Sequence, residues 1–138
     1  MTYFSHTKLY RDQHGRLREL AGKMLSATTE AEHRTLLAQL AGQVKMHLKG
    51  EDDVLYPRLL AHEDAAVRAK AKQLQESMGE LAAVFQSFYA TWIKSGAIGG
   101  DLPGYTAAMH GVIGALAKRM DLEDHDLYDL ADRVFAVA

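Results

Sequence analysis

Apolar residues recur along the chain every three to four positions, the period of a helix that buries one face. Between short turn signals the sequence is rich in Ala, Leu, Glu, Lys, Arg and Gln and poor in β-branched residues. These are helix formers. The spacing predicts helices over about 4–25, 29–55, 64–95 and 103–135. Thr28 or Thr29, Asp64 and Asp101 are placed as N-caps, and Pro103 falls in a first helical turn. Punctuation comes from Ser26-Ala27-Thr28-Thr29, from Pro57 and from a glycine-rich run over 96–104. Amphipathic helices joined by short loops predict an all-α fold: one domain over 1–138, an antiparallel up-down four-helix bundle built from two helix hairpins.

Where polar residues enter the apolar stripes decides where the chemistry lies. On the second helix, Leu36, Leu37, Leu40, Val44, Leu48, Val54 and Leu55 share a face of about 120° at helical rotation, and His47 and Glu51 fall inside it. On the fourth, Met109, Val112, Ile113, Leu116, Met120, Leu127, Leu130 and Val134 form a narrow stripe that contains Glu123. A buried charge is tolerated only when it is paired or bound to metal. The first helix offers His6, Tyr10, Gln13, Leu17, Leu20, Ala21 and Met24 as its face, with His14 near the edge. The third carries an apolar and aromatic stripe that includes Met78, Phe85, Phe88, Tyr89 and Trp92 and holds neither His nor acid. That wall is core or the lining of a small apolar pocket. Arg119 and His110 sit at the edges of the fourth stripe, and His125 faces about 160° away from it.

An internal repeat ties the halves together. Glu51-Asp52-Asp53-Val54-Leu55-Tyr56 aligns with Glu123-Asp124-His125-Asp126-Leu127-Tyr128, 72 positions later. The repeat carries its acid inward twice, and Tyr56 and Tyr128 are expected to share a structural role at one end of the bundle. A His followed by an acid four residues on occurs twice, at His47/Glu51 and His125/Asp129, and only the first pair faces inward.

Composition narrows the chemistry. The chain has 138 residues, seven His, no Cys and a formal net charge of −2. Without Cys there are no disulfides, thiolate zinc sites, thiol catalysis or Cys-held clusters, so any metal must use imidazole and carboxylate. Scattered Lys and Arg argue against nucleic acid. No apolar run reaches a membrane span and the N-terminal residues lack the apolar segment of a signal peptide, so no membrane partner and a cytoplasmic location are expected.

On the segments Arg11-Asp12-Gln13-His14-Gly15-Arg16-Leu17 and His47-Leu48-Lys49-Gly50-Glu51-Asp52-Asp53-Val54-Leu55-Tyr56-Pro57, and on the repeat ending at Tyr128, the chain resembles the hemerythrin-like, or HHE cation-binding, domain family. The resemblance implies a four-helix bundle around a non-haem di-iron centre. In each hairpin the first helix gives a His and the second an H-x-x-x-E pair. His14, His47 and Glu51 match the first hairpin's set. In the second only Glu123 matches, Arg119 stands where a His is expected, and Met78 or Gln86 stands where the third helix would supply one. His14, His47, Glu51 and Glu123 thus remain as metal ligands, with His6 as a supplement. They suit one non-haem iron, zinc or manganese ion. Arg119 offers the opposite outcome, a guanidinium that neutralises a core carboxylate and leaves one ion or none.

The first expectation for function is a single-metal sensor of oxygen, nitric oxide or redox state, or an iron-handling protein, with metal and a diatomic gas as partners. The alternative is a metal-free bundle acting as a regulatory protein–protein interaction module. An oxidase or peroxidase ranks behind both, because no acid/base pair beyond the metal site is visible. The glycine-rich connection and the aromatic end of the third helix offer a homodimer contact.

Overall fold

The computed structural model describes residues 6–94 and 97–135. The helix start expected near residue 4 and the side chain of His6 lie outside the described residues. Six α-helices follow one another: α1 (His6–Ser26), α2 (Glu30–Gly50), α3 (Tyr56–Leu60), α4 (Ala65–Tyr89), α5 (Leu102–Leu122) and α6 (Tyr128–Phe135). A π-helical turn, Glu51–Leu55, joins α2 to α3 without a break, and another, Glu123–Leu127, joins α5 to α6. A third, Ala90–Lys94, extends α4. The described residues therefore form four continuous rods. α1 packs on α2, α3 on α4 and α4 on α5, and α5 and α6 return to α1. This is the four-helix bundle the hydrophobic pattern predicts.

The expected caps are present. Thr29 accepts from the Glu32 N–H at 3.2 Å, Asp64 from that of Ala66 at 2.9 Å and Asp101 from that of Gly104 at 3.0 Å. Each satisfies a backbone donor that the helix cannot. Gly104 leaves room for this: a Cβ there would collide with the Asp101 carboxylate.

The second rod runs to Leu60 rather than ending at 55. Pro57 does not stop it, because the π turn restarts the helical ladder and places the proline in the first turn of α3, where its missing N–H is not needed. In each π turn the hydrogen bond spans five residues, from the Tyr56 N–H to the Glu51 carbonyl and from the Tyr128 N–H to the Glu123 carbonyl. The repeated E-D-x-x-L-Y segment is thus a repeated π turn, a feature frequent at functional sites.

The core is split by a polar layer. On one side lie Leu17, Leu20, Met24, Leu37, Leu40, Val44, Phe85, Phe88 and Tyr105 with their neighbours. The other side holds Tyr10, Leu55, Tyr56, Leu59, Ala71, Leu74, Leu127 and Tyr128. Phe88 stacks on Tyr105, so the aromatic face of α4 is core rather than the wall of a pocket. Between the two clusters in sequence, on three rods, come His14, His47, Glu51, Arg119 and Glu123, all buried. Outside this layer, Arg11 donates to Asp132 and Asp129 at 2.8 Å each and clamps α1 to α6.

Candidate metal centre

Each side chain of the polar layer is placed by its helix register. His14 lies one turn from Tyr10 and Leu17 on α1, and its neighbours' burial carries it inward; it is fully buried rather than at the edge the helical wheel suggests. His47 ends the buried face of α2, Glu51 opens the first π turn and Glu123 opens the second. All four residues expected as ligands are brought together. One ligand atom each from His14, His47 and Glu123 lies within 4.8 Å of the others. Glu51 adjoins them, with Oε1 3.2 Å from His47 Nε2.

The two imidazoles meet Nε2 to Nε2 at 3.0 Å. Their other nitrogens are fixed by acceptors: His14 Nδ1 lies 2.8 Å from Asp124 Oδ1, and His47 Nδ1 lies 2.7 Å from Gln13 Oε1. A carboxylate oxygen and an amide oxygen only accept. Each Nδ1 is therefore the donor, and each ring, once its Nε2 is free of a proton, turns a lone pair toward the other. Outer partners that hold the far ring nitrogen in this way are what orient metal-binding histidines.

Oxygen atoms crowd the same space. Glu123 Oε1 lies 2.9 Å from His14 Nε2 and 3.4 Å from His47 Nε2. The Tyr128 hydroxyl donates to Glu51 Oε2 at 3.0 Å and sits 3.1 Å from both Nε2 atoms. Electron-rich atoms here outnumber the protons they can share. Glu51 Oε1 and Glu123 Oε2 are buried with no hydrogen-bond partner among the described residues. Leaving such groups unsatisfied costs about 1–3 kcal/mol each, more when they are charged.

The titration of the cluster reflects this crowding. Burial pushes Glu51 up to about 7, helped by the Glu123 charge and opposed by His47. Burial also acts to raise Glu123, but hydrogen bonds and charge from His14 and His47 win and hold it down at about 2. Burial acts to lower His47, and Glu123 and Glu51 outweigh it, lifting the imidazole to about 9. Without metal, His47 therefore carries a second proton at neutral pH, and a metal must displace it. Burial, and then the Glu123 and Glu51 charges, drive the Tyr128 phenol far above its ordinary value.

Arg119 fills the far side of the layer. Its guanidinium donates to Ser77 Oγ at 2.5 Å, to the Leu74 carbonyl at 2.7 Å and to the Tyr56 hydroxyl at 3.2 Å. Nε faces Glu123 Oε2 at 3.5 Å without hydrogen-bonding geometry. The two charges are paired, but not through the bidentate fork that the i, i+4 spacing suggests, because both Nη atoms are turned toward α4 and Tyr56. On α4 Met78 is buried and Gln86 is exposed, and neither brings an imidazole. Among the described residues one group of three candidate ligands, His14, His47 and Glu123, is close enough to share an ion, and Arg119 places a fixed positive charge beside it. The donor set fits one ion.

Three contributors were not visible as such in the sequence: Tyr128, Gln13 and Asp124. Tyr128 was expected at the bundle end in a purely structural role. On an ideal α-helix it lies about 140° from Glu123, but the π turn spends an extra residue and returns it to the glutamate's side. Gln13 and Asp124 neighbour His14 and Glu123 in sequence, and that adjacency was the available signal. His33, also buried, belongs elsewhere: its ring contacts the Ala27 carbonyl at 3.1 Å and the Tyr105 hydroxyl at 3.2 Å. His110 and His125 are exposed.

The model of the hemerythrin HHE cation-binding domain matches residues 5–131. No curated protein and no solved structure matches the chain. With the bundle, the inward acids of the repeat and the His14, His47 and Glu123 cluster, that match over nearly the whole length establishes that the chain belongs to the hemerythrin HHE cation-binding domain family.

Proposed function

We propose that the protein binds one non-haem metal ion, iron before zinc or manganese, through His14, His47, Glu51 and Glu123, and acts as a sensor of oxygen, nitric oxide or redox state or as an iron-handling protein. The observation that carries this proposal is the pair of Nε2 atoms facing each other at 3.0 Å with both Nδ1 atoms held by acceptors. Two imidazoles and carboxylates suit iron, manganese and zinc alike, and family membership favours iron. When bound, iron would supply a one-electron redox change and a coordination position for a small gas.

The chain's own residues prepare that site. Asp124 and Gln13 fix the ring orientations. Arg119 supplies the positive charge that a second ion would otherwise bring to Glu123. Arg18 donates to Asp124 Oδ2 at 2.7 Å, so the support of His14 extends to the surface. No helix among the described residues is long and apolar enough to cross a membrane.

The test is elemental analysis of untagged protein beside His47→Ala and Glu51→Ala. One ion per chain in the wild type and its loss in both variants is expected. Substoichiometric metal that persists in the variants would overturn the proposal.

A second function has one observation in its favour. Arg119 and a protonated His47 can balance the buried carboxylates without metal. A metal-free bundle acting as a regulatory protein–protein interaction module is the outcome if the wild type carries no ion.

A further inference from the structure

The six distances among four atoms of the polar layer define a nearly regular tetrahedron. His14 Nε2 and His47 Nε2 are 3.0 Å apart. Glu123 Oε1 is 2.9 and 3.4 Å from them. The Tyr128 hydroxyl oxygen is 3.1 Å from each nitrogen and 3.5 Å from Glu123 Oε1. The centre of a tetrahedron with such edges lies about 2 Å from every vertex, which is the length of a metal–nitrogen or metal–oxygen bond. Glu51 stands outside this figure. It touches two vertices, with Oε1 3.2 Å from His47 Nε2 and Oε2 3.0 Å from the Tyr128 oxygen.

Resting on the single-metal proposal above but moving Glu51 from ligand to proton acceptor, we infer that Tyr128 is itself a metal ligand, its phenolate oxygen completing a His14, His47, Glu123 and Tyr128 donor set, with Glu51 taking the phenol proton. As the ion enters, the proton on His47 Nε2 leaves to solvent, the Tyr128 O–H bond breaks, a metal–oxygen bond forms, and the phenol proton passes to Glu51 Oε2, which already accepts that hydrogen bond. No electron is transferred. A cation at the tetrahedron's centre replaces the repulsion between Tyr128 and the two carboxylates by attraction, the inversion that bound metals impose on nearby acids.

The two halves of the repeat explain why only one tyrosine can do this. Tyr56 occupies the corresponding place in the first half, but its hydroxyl receives the Arg119 guanidinium at 3.2 Å. A cation is already there.

A ferric ion tests the inference, because a phenolate bound to Fe(III) absorbs visible light by charge transfer. Metal-free protein is loaded with ferric iron from a weak chelate, and iron per chain, visible absorption and resonance Raman scattering are recorded. One bound iron with a visible band is expected, with ring modes that shift in wild-type protein grown on ring-deuterated tyrosine. Tyr128→Phe should keep the iron and lose the band, whereas Tyr56→Phe should keep both. Bound iron without tyrosinate modes in the wild type would overturn the inference and leave the single-metal proposal standing. Failure to bind iron at all would overturn the inference and the choice of iron, and failure to bind zinc and manganese as well would overturn the single-metal proposal. The isotope shift is read on the wild type, so it holds even if Tyr128→Phe does not fold.

Discussion

Arg119 donates from Nη2 to the Tyr56 hydroxyl at 3.2 Å, in the place of the second hairpin where His47 meets the Tyr128 hydroxyl at 3.1 Å in the first. Each tyrosine thus reaches across to the residue four positions before the other half's glutamate. A histidine at 119 would complete that symmetry. Arg119→His is expected to raise metal uptake above one ion per chain under conditions where the wild type takes one, measured by elemental analysis after equilibrium dialysis. Unchanged uptake would show that the guanidinium is not what limits the centre to a single ion.

Removing the charge without adding a ligand separates its structural role. Arg119→Met keeps an unbranched apolar stem but leaves the buried Glu123 carboxylate without its arginine. Breaking a buried pair by deleting one partner costs about 3–5 kcal/mol. Denaturant unfolding of the metal-free variant should show a loss of that order, and saturating metal should recover much of it. A variant as stable as the wild type without metal would mean that His14 and His47 already neutralise Glu123 unaided.

The support of His14 can be tested from outside the donor set. Asp124→Asn replaces the carboxylate that holds Nδ1 by an amide able to present a donor instead of an acceptor. Loss of such an outer partner typically lowers metal affinity about 10–100-fold. Competition against a chromogenic chelator reads this directly. Arg18→Ala, which removes only the surface partner of Asp124, should have a smaller effect.

The bundle, its caps and its inward acids were legible because they follow from helical periodicity and short-range chemistry. His47, Glu51 and Glu123 sit within apolar stripes, and no tertiary information is needed to see that they are buried. The limit was the assumption of a uniform rotation per residue. Tyr128 and the continuation of the second rod through Pro57 both depend on π turns, in which one residue is added without breaking the rod. Hydrophobic spacing over so short a segment does not distinguish a π turn from an α turn. Arg119 was recognisable as a neighbour of Glu123 but not as a partner of Ser77, Leu74 and Tyr56, since those contacts cross to other rods.

His33 provides an internal control. It is as buried as His47 but bonds to the Ala27 carbonyl and the Tyr105 hydroxyl, apart from the cluster. His33→Ala should leave metal stoichiometry unchanged. Tyr105→Phe should cost about 1–3 kcal/mol by leaving a buried ring nitrogen unsatisfied, again with the ion retained. Loss of metal in either variant would show that the centre depends on the packing of the core around Tyr105 and Phe88 as well as on its own ligands.

The pH dependence of the metal-free protein follows from three groups and has a definite sign. His47 is raised from 6.5 to about 9, so its contribution is complete below pH 6.5 and is lost as pH rises through 9. Glu51 is raised from 4.5 to about 7: the folded state holds this proton more tightly than the unfolded chain, so stability falls as pH rises from 4.5 through 7. Glu123 is lowered from 4.5 to about 2, and its contribution is present above 4.5 and lost as pH falls toward 2. Glu51 from pH 4.5 to about 7 and His47 from 6.5 to about 9 act in the same direction one after the other, so the metal-free protein should lose thermal stability as pH rises from about 5 to 9. Metal replaces the protons that are lost, so affinity should rise with pH and saturating zinc should flatten the decline. Thermal unfolding at several pH values, with chelator and with zinc, measures both slopes. A metal-free melting temperature that climbs from pH 6 to 9.5 would contradict a protonated His47 in the folded state, and with it the view that metal and proton compete for the same nitrogen.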